Sequence, residues 1–143
     1  SIMETYEAGG HAYHATMPTD SLKVFRDTLS ETREFGFSTA FDAQWKLGKS
    51  VRKSLKNLGI KSVAADGFGA PGVVVSYTNS SDIQNGSRFK ELGFQIAAGV
   101  PLKCDEPPEF STFRLGLFGL DKLKNIESTL STLDQAFEQI FTP

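Results

Sequence analysis

The chain has 143 residues, enough for one domain with a buried core, and is 39% hydrophobic and 22% charged. Its formal net charge of −2 gives no bulk attraction to nucleic acid or to an anionic membrane surface. No apolar run approaches the roughly 18 residues that cross a bilayer, and Ser1-Ile2-Met3-Glu4-Thr5 lacks the basic and apolar regions of a secretion signal. Cys104 is the one cysteine and has no partner for an internal disulfide, so a reducing cytoplasm is the expected setting. Ser1 precedes the first methionine, and the chain is expected to be a piece of a longer product.

Residues 1–15 carry Gly9-Gly10-His11-Ala12-Tyr13-His14-Ala15 and show no helical or strand period. They read as an irregular arm, with residues 1–18 linking to a compact domain over 19–143. Thr16-Met17-Pro18-Thr19-Asp20 is a helix start: a threonine caps it, Pro18 suits the first turn, and Asp20 suits the positive end of the dipole. Leu22, Phe25 and Leu29 then share a face, and Gly36 stops the helix. A second helix is expected from Ser38 or Thr39 to Gly59, with Phe41, Trp45, Val51, Leu55 and Leu58 as its apolar stripe. Its other side carries Lys46, Lys49, Arg52, Lys53 and Lys56, read as a solvated face because aromatic interleaving and a wider basic surface are missing.

Ser62–Ala65 reads as a short strand, 66–72 as a glycine-rich loop and Val73–Tyr77 as a buried strand. The loop's glycine spacing matches neither the P-loop nor the dinucleotide pattern, and no Lys-Ser/Thr follows. Ser80 or Ser81 caps a weak helix through Ile83, Phe89 and Leu92, weakened by Gly86 and ended by Gly93. Residues 94–98 read as a strand, and 99–110 as a proline-rich loop.

Ser111–Gly119 is the most informative stretch. Phe113, Leu115 and Leu117 alternate on to one face of an extended chain; Thr112, Arg114, Gly116 and Phe118 fall on the other. An arginine mid-strand brings five donors and a permanent charge, and needs an anion, water or a carboxylate. With Gly116 beside it, Arg114 has open space over the strand, where a small acid can be held through a two-pronged contact. An arginine on the solvent side of a half-buried strand is the competing reading. Last comes an amphipathic helix over 121–141, with Leu123, Ile126, Leu130, Leu133, Phe137 and Ile140 on one face. The order α-α-β-β-α-β-β-α indicates an α+β fold: a small, mostly antiparallel sheet with helices packed largely on one face.

No complete catalytic constellation is present. His11 and His14 are three apart, but no helical pattern or further ligand supports a metal site. Cys104 lies in a proline-bounded loop ten residues before Arg114, where Lys103 favours a thiolate and Asp105 and Glu106 oppose it. Tyr13 and Thr16 are hydroxyls at a helix start, where a phosphate is favoured and an ordinary cap with a packed tyrosine is the plainer reading.

Taken in order, Gly10-His11-Ala12-Tyr13-His14-Ala15-Thr16-Met17-Pro18, the long middle, and Phe113–Gly119 with its final helix resemble the C-terminal part of a class V (fold-type I) pyridoxal-phosphate aminotransferase. The alanine–glyoxylate/serine–pyruvate branch is the nearest in pattern. The resemblance implies that 19–143 is the small domain of such an enzyme and that Arg114 grips the substrate carboxylate. It implies that Tyr13 and Thr16 reach the phosphate of pyridoxal 5'-phosphate from the neighbouring subunit of a homodimer. The reaction implied moves an amino group between a small amino acid (alanine or serine) and a 2-oxo acid (glyoxylate or pyruvate), with a lysine holding the cofactor. No lysine here lies in a segment that matches the family's lysine motif, so the large cofactor-binding domain is missing and the 143 residues alone are expected to be inactive. Two alternatives stay open. One is a cysteine desulfurase-like enzyme of the same cofactor class using Cys104, although residues 101–107 lack that loop's small and polar residues. The other is a free-standing regulatory module that binds a small carboxylate.

Overall fold

The computed structural model describes residues 1–12 and 17–142, which fall into two compact units, Ser1–Phe35 and Gly36–Pro143. The first unit holds helices α1 (Ile2–Glu7) and α2 (Thr19–Phe35). Helix α1 replaces part of the expected irregular arm. Its cause is a capping box: the Ser1 hydroxyl accepts from Glu4 N at 3.3 Å, and the Glu4 carboxylate reaches back to the chain's amino group. Too short to show an apolar period, it rests on its cap. Helix α2 has the expected bounds, but none of its residues is buried, and Phe25 is 64% exposed.

The second unit is a layer of helices on one face of a three-stranded antiparallel sheet, as the α+β reading expected. Its strands are β1 (Val73–Tyr77), β2 (Ala97–Ala98) and β3 (Thr112–Gly116), in the order β1-β3-β2. Strand β3 pairs Val74 with Leu115 and Val75 with Arg114 on one side, and Ala97 with Arg114 on the other. Val74, Ser76, Phe113, Leu115 and Leu117 are buried with the expected period of two, but Thr112, expected beside Arg114 on the open face, is buried as well, because Gly99 packs on it.

Helix α3 (Phe37–Asn57) covers that buried face with Leu47, Val51 and Leu55. It begins one turn's edge earlier than expected, from Gly36 with φ 96° and no side-chain cap; Ser38 and Thr39 sit inside its first turn. Phe41 is 63% exposed and does not belong to the core, whereas Leu47 and Gly48 do. Short helices α4 (Ser81–Gln84) and α5 (Ser87–Glu91) divide at Gly86, whose φ is 83° and whose added Cβ would lie 3.0 Å from Ile96 Cγ1. The last helical region is likewise two pieces, α6 (Leu120–Leu123) and α7 (Ile126–Phe141). Phe89, Phe113, Phe137 and Phe141 close the core, with ring centroids 5.7–6.2 Å apart.

Two expected strands shrink. Ser62–Ala65 is reduced to a single bridge from Ser62 to Ser76. Of residues 94–98 only Ala97 and Ala98 pair, and Phe94–Ile96 line a cavity of about 340 Å³ against Leu115–Leu117 and α7. Among the described residues no helix is long and apolar enough to cross a membrane.

Candidate functional site

Arg114 occupies the middle of the middle strand, on the face away from the helices of its unit. Val75 and Ala97 flank it in register, and all three are only partly or little covered. Its Nε donates to Ala98 O at 2.9 Å. That bond ties the side chain to the neighbouring strand and fixes its direction. Among the described residues nothing accepts from Nη1 or Nη2, and no carboxylate pairs with the charge. The donor pair at the tip of the guanidinium is therefore available to an outside acceptor, and its planar fork matches a carboxylate.

The surroundings of this face are built by close backbone approaches. Leu117 N donates to Gly72 O at 2.9 Å, extending the β1–β3 ladder by one step. Gln44 on α3 donates to both Pro71 O (3.1 Å) and Leu117 O (3.2 Å), pinning the two strands together at that end. The Phe118 ring lies against Gly72, where an added Cβ would collide with Cε1, and a Cβ on Gly116 would sit 3.8 Å from its Cδ2. Phe118 is 62% exposed, an apolar wall beside Gly116. At the other end Tyr77 and Phe110 meet edge to face at 5.7 Å. Gly99 packs so closely on the Thr112 backbone and hydroxyl that no Cβ fits, which holds the chain after β2 against β3. Among these residues Arg114 is the one cation.

Cys104 lies on an exposed loop. The Glu106 carboxylate accepts from the backbone N–H groups of Lys103 and Cys104, both at 2.8 Å, and these bonds hold it down at a pKa of about 2. Lys103 and Asp105 have φ of 58° and 61°, so the loop tip is a tight turn closed by Glu106.

Tyr13, Thr16 and His14 lie outside the described residues. Among those described, no three of His, Cys, Asp and Glu come together as metal ligands. Arg52 corrects the reading of a uniformly solvated basic helix face. It is half-buried and donates to Ser62 Oγ, Ala70 O and Val73 O at 3.2, 2.9 and 2.8 Å, and burial lowers its pKa. Sequence reasoning missed Gln44 and Gly72 as supports of the Arg114 face. Gly72 carries a readable signal, since a glycine opening a strand marks close backbone approach; Gln44 carries none.

No protein family's sequence pattern matches this chain, and no curated protein matches it either. Solved structures do. Over 97% of its length the chain matches part of the alanine–glyoxylate aminotransferase from Nostoc sp., with a TM-score of 0.69, 16% identity and 36% of that chain covered. Over 97% it also matches part of the ureidoglycine–glyoxylate aminotransferase from Bacillus subtilis, with a TM-score of 0.65, 18% identity and again 36% of that chain covered. The chain has the fold of a segment of these aminotransferases. At such identities the likeness is one of fold, and the chain spans little more than a third of either structure's length.

Proposed function

We propose that this chain is the C-terminal, substrate-gripping part of a pyridoxal-phosphate aminotransferase of the alanine–glyoxylate/serine–pyruvate type. The single observation that carries the reading is Arg114. In an aminotransferase-like fold, a lone arginine stands at the centre of an open sheet face, anchored through Nε and with both Nη groups unengaged among the described residues. The carboxylate of a small amino acid (alanine or serine) or a 2-oxo acid (glyoxylate or pyruvate) docks on that fork. Phe118 and the aliphatic neighbours Val75 and Ala97 limit the side chain that fits beside it.

The described residues suit the substrate carboxylate rather than the cofactor. Neither residue flanking Arg114 in register is a lysine. In the full-length enzyme pyridoxal 5'-phosphate supplies the electron sink, held by a lysine of the large domain. Tyr13 and Thr16 are proposed to reach its phosphate across a homodimer. What this chain does in the reaction is bind and orient: the two-pronged contact fixes the acid so that the Cα substituents present a constant face to the reacting centre.

The test is made on the longer protein. It is expected to show the visible absorbance of bound pyridoxal phosphate and to transfer the amino group of alanine to glyoxylate. Arg114→Ala is expected to raise KM for the amino acid and lower kcat/KM by about 100-fold or more, since two charge-assisted hydrogen bonds are lost. An unchanged kcat/KM overturns the role of Arg114. A colourless protein that still binds small carboxylates through Arg114 replaces the reading with that of a carboxylate-binding module, which the same free guanidinium favours.

A further inference from the structure

A second polar cavity lies on the opposite side of β1 from the Arg114 face. It measures about 530 Å³, between the C-terminal half of α3, the segment 59–69 and the buried side of β1. Lys61 and Ser62 are placed there by backbone bonds that lay their segment along the free edge of β1: Tyr77 N to Lys61 O at 2.9 Å and Val63 N to Val75 O at 3.0 Å. Arg52 reaches in from α3 and Lys56 stands one turn further along the same helix. Three cations thus line the cavity against one carboxylate, Asp66, and none of the three forms an ion pair among the described residues. Arg52 spends three of its five donors on Ser62, Ala70 and Val73, which leaves Nε–H and one Nη1–H.

The feature that makes this more than a basic surface is Ser76. It is 1% exposed, on the buried side of β1, yet its hydroxyl makes no hydrogen bond among the described residues. Among the described residues no fully enclosed side-chain oxygen or nitrogen lacks a partner, so the Ser76 hydroxyl retains some accessible surface, and Ser76 lines this cavity.

We propose that the cavity binds a small phosphorylated molecule, its phosphoryl group held by Arg52, Lys56, Lys61 and the Ser76 hydroxyl. A net lining charge of plus two matches a phosphate dianion. Its several acceptor oxygens satisfy single guanidinium N–H groups, ammonium groups and a hydroxyl converging from different directions, which a planar carboxylate does less well. The volume leaves room for a short carbon body beyond the phosphate.

The experiment is an NMR titration of the full 143-residue chain with inorganic phosphate and, separately, with glycerol phosphate. Saturable shifts are expected at the amides of residues 60–67 and at Ser76, with the ester binding more tightly. Ser76→Ala is expected to keep the fold and melting temperature and to weaken binding by about tenfold, the loss of one hydrogen bond to a charged group. The double variant K56Q/K61Q is expected to weaken it by at least as much. Shifts that never saturate, or binding unchanged in both variants, overturn the proposal. An ester no tighter than inorganic phosphate overturns the assignment to a phosphorylated molecule. Loss of binding in Arg114→Ala, with shifts on β3 instead, places the anion on the other face and also overturns it.

Discussion

Gly48→Ala sets two strong tendencies against each other, and the structure decides the sign. In the interior of α3 a glycine costs about 1 kcal/mol relative to alanine, so helix propensity alone favours the change. Gly48, however, is buried where α3 crosses the entry to β1. An added Cβ would lie 3.0 Å from both the carbonyl carbon and Cα of Pro71 and closer still to its oxygen. These are backbone atoms, so the helix or the strand must move. Forcing a methyl into such a contact costs about 1–3 kcal/mol. Movement also breaks the Gln44 bond to Pro71 O, worth about 1 kcal/mol. The net is a loss of about 2 kcal/mol in the face of the propensity gain. Urea unfolding followed by far-ultraviolet circular dichroism reads it out. With a slope of about 1–3 kcal/mol per molar, the midpoint should fall by about 1 M. A midpoint that stays or rises would show that α3 does not approach β1 this closely.

Arg52→Met keeps the aliphatic stem and removes three donors; a loss of about 2–3 kcal/mol is expected, with early exposure of residues 62–73 in hydrogen exchange. Glu106 has its folded pKa held at about 2, below the ordinary 4.5, so its contribution to loop order is complete above 4.5 and is lost as pH falls through 2. The amide shifts of Lys103 and Cys104 should therefore titrate with a midpoint near 2; a midpoint at 4.5 would mean that Glu106 does not close the turn. Arg114→Lys in the longer protein keeps the charge but loses the fork, and kcat/KM should drop by about tenfold, less than for alanine; full activity in the lysine variant would argue against a two-pronged grip.

Strand β3 is legible in the sequence because its physics is local. Phe113, Leu115 and Leu117 repeat with period two, and β3 sits between two partners in that register. The free face around Arg114 follows from the same count. What the sequence concealed is set by tertiary approach. Phe41 fits the helical stripe of α3 but is exposed, while Gly48, which the stripe does not include, marks the close approach of α3 to Pro71. Arg52 reads as one of five cations on a helix face and is distinguished only by the carbonyls of Ala70 and Val73 that happen to lie under it. Helix α1 was announced by Ser1 and Glu4 at capping-box spacing, a signal overlooked because no apolar period accompanies it. Residues 94–96 have strand composition, and only the divergence of the chain from β3 beyond Ala97 keeps them unpaired.

The one-sided covering of the sheet separates two kinds of selection. Positions of β3 answer to different demands: Phe113 and Leu115 face the aromatic and aliphatic core and Thr112 is covered by Gly99, whereas Arg114 and Gly116 face away from it. A substitution at an outward position changes what the surface recognises while leaving the cohesive side untouched. A lineage carrying this architecture can therefore change Val75, Ala97, Gly116 and Phe118 residue by residue, without first acquiring a stabilising change elsewhere.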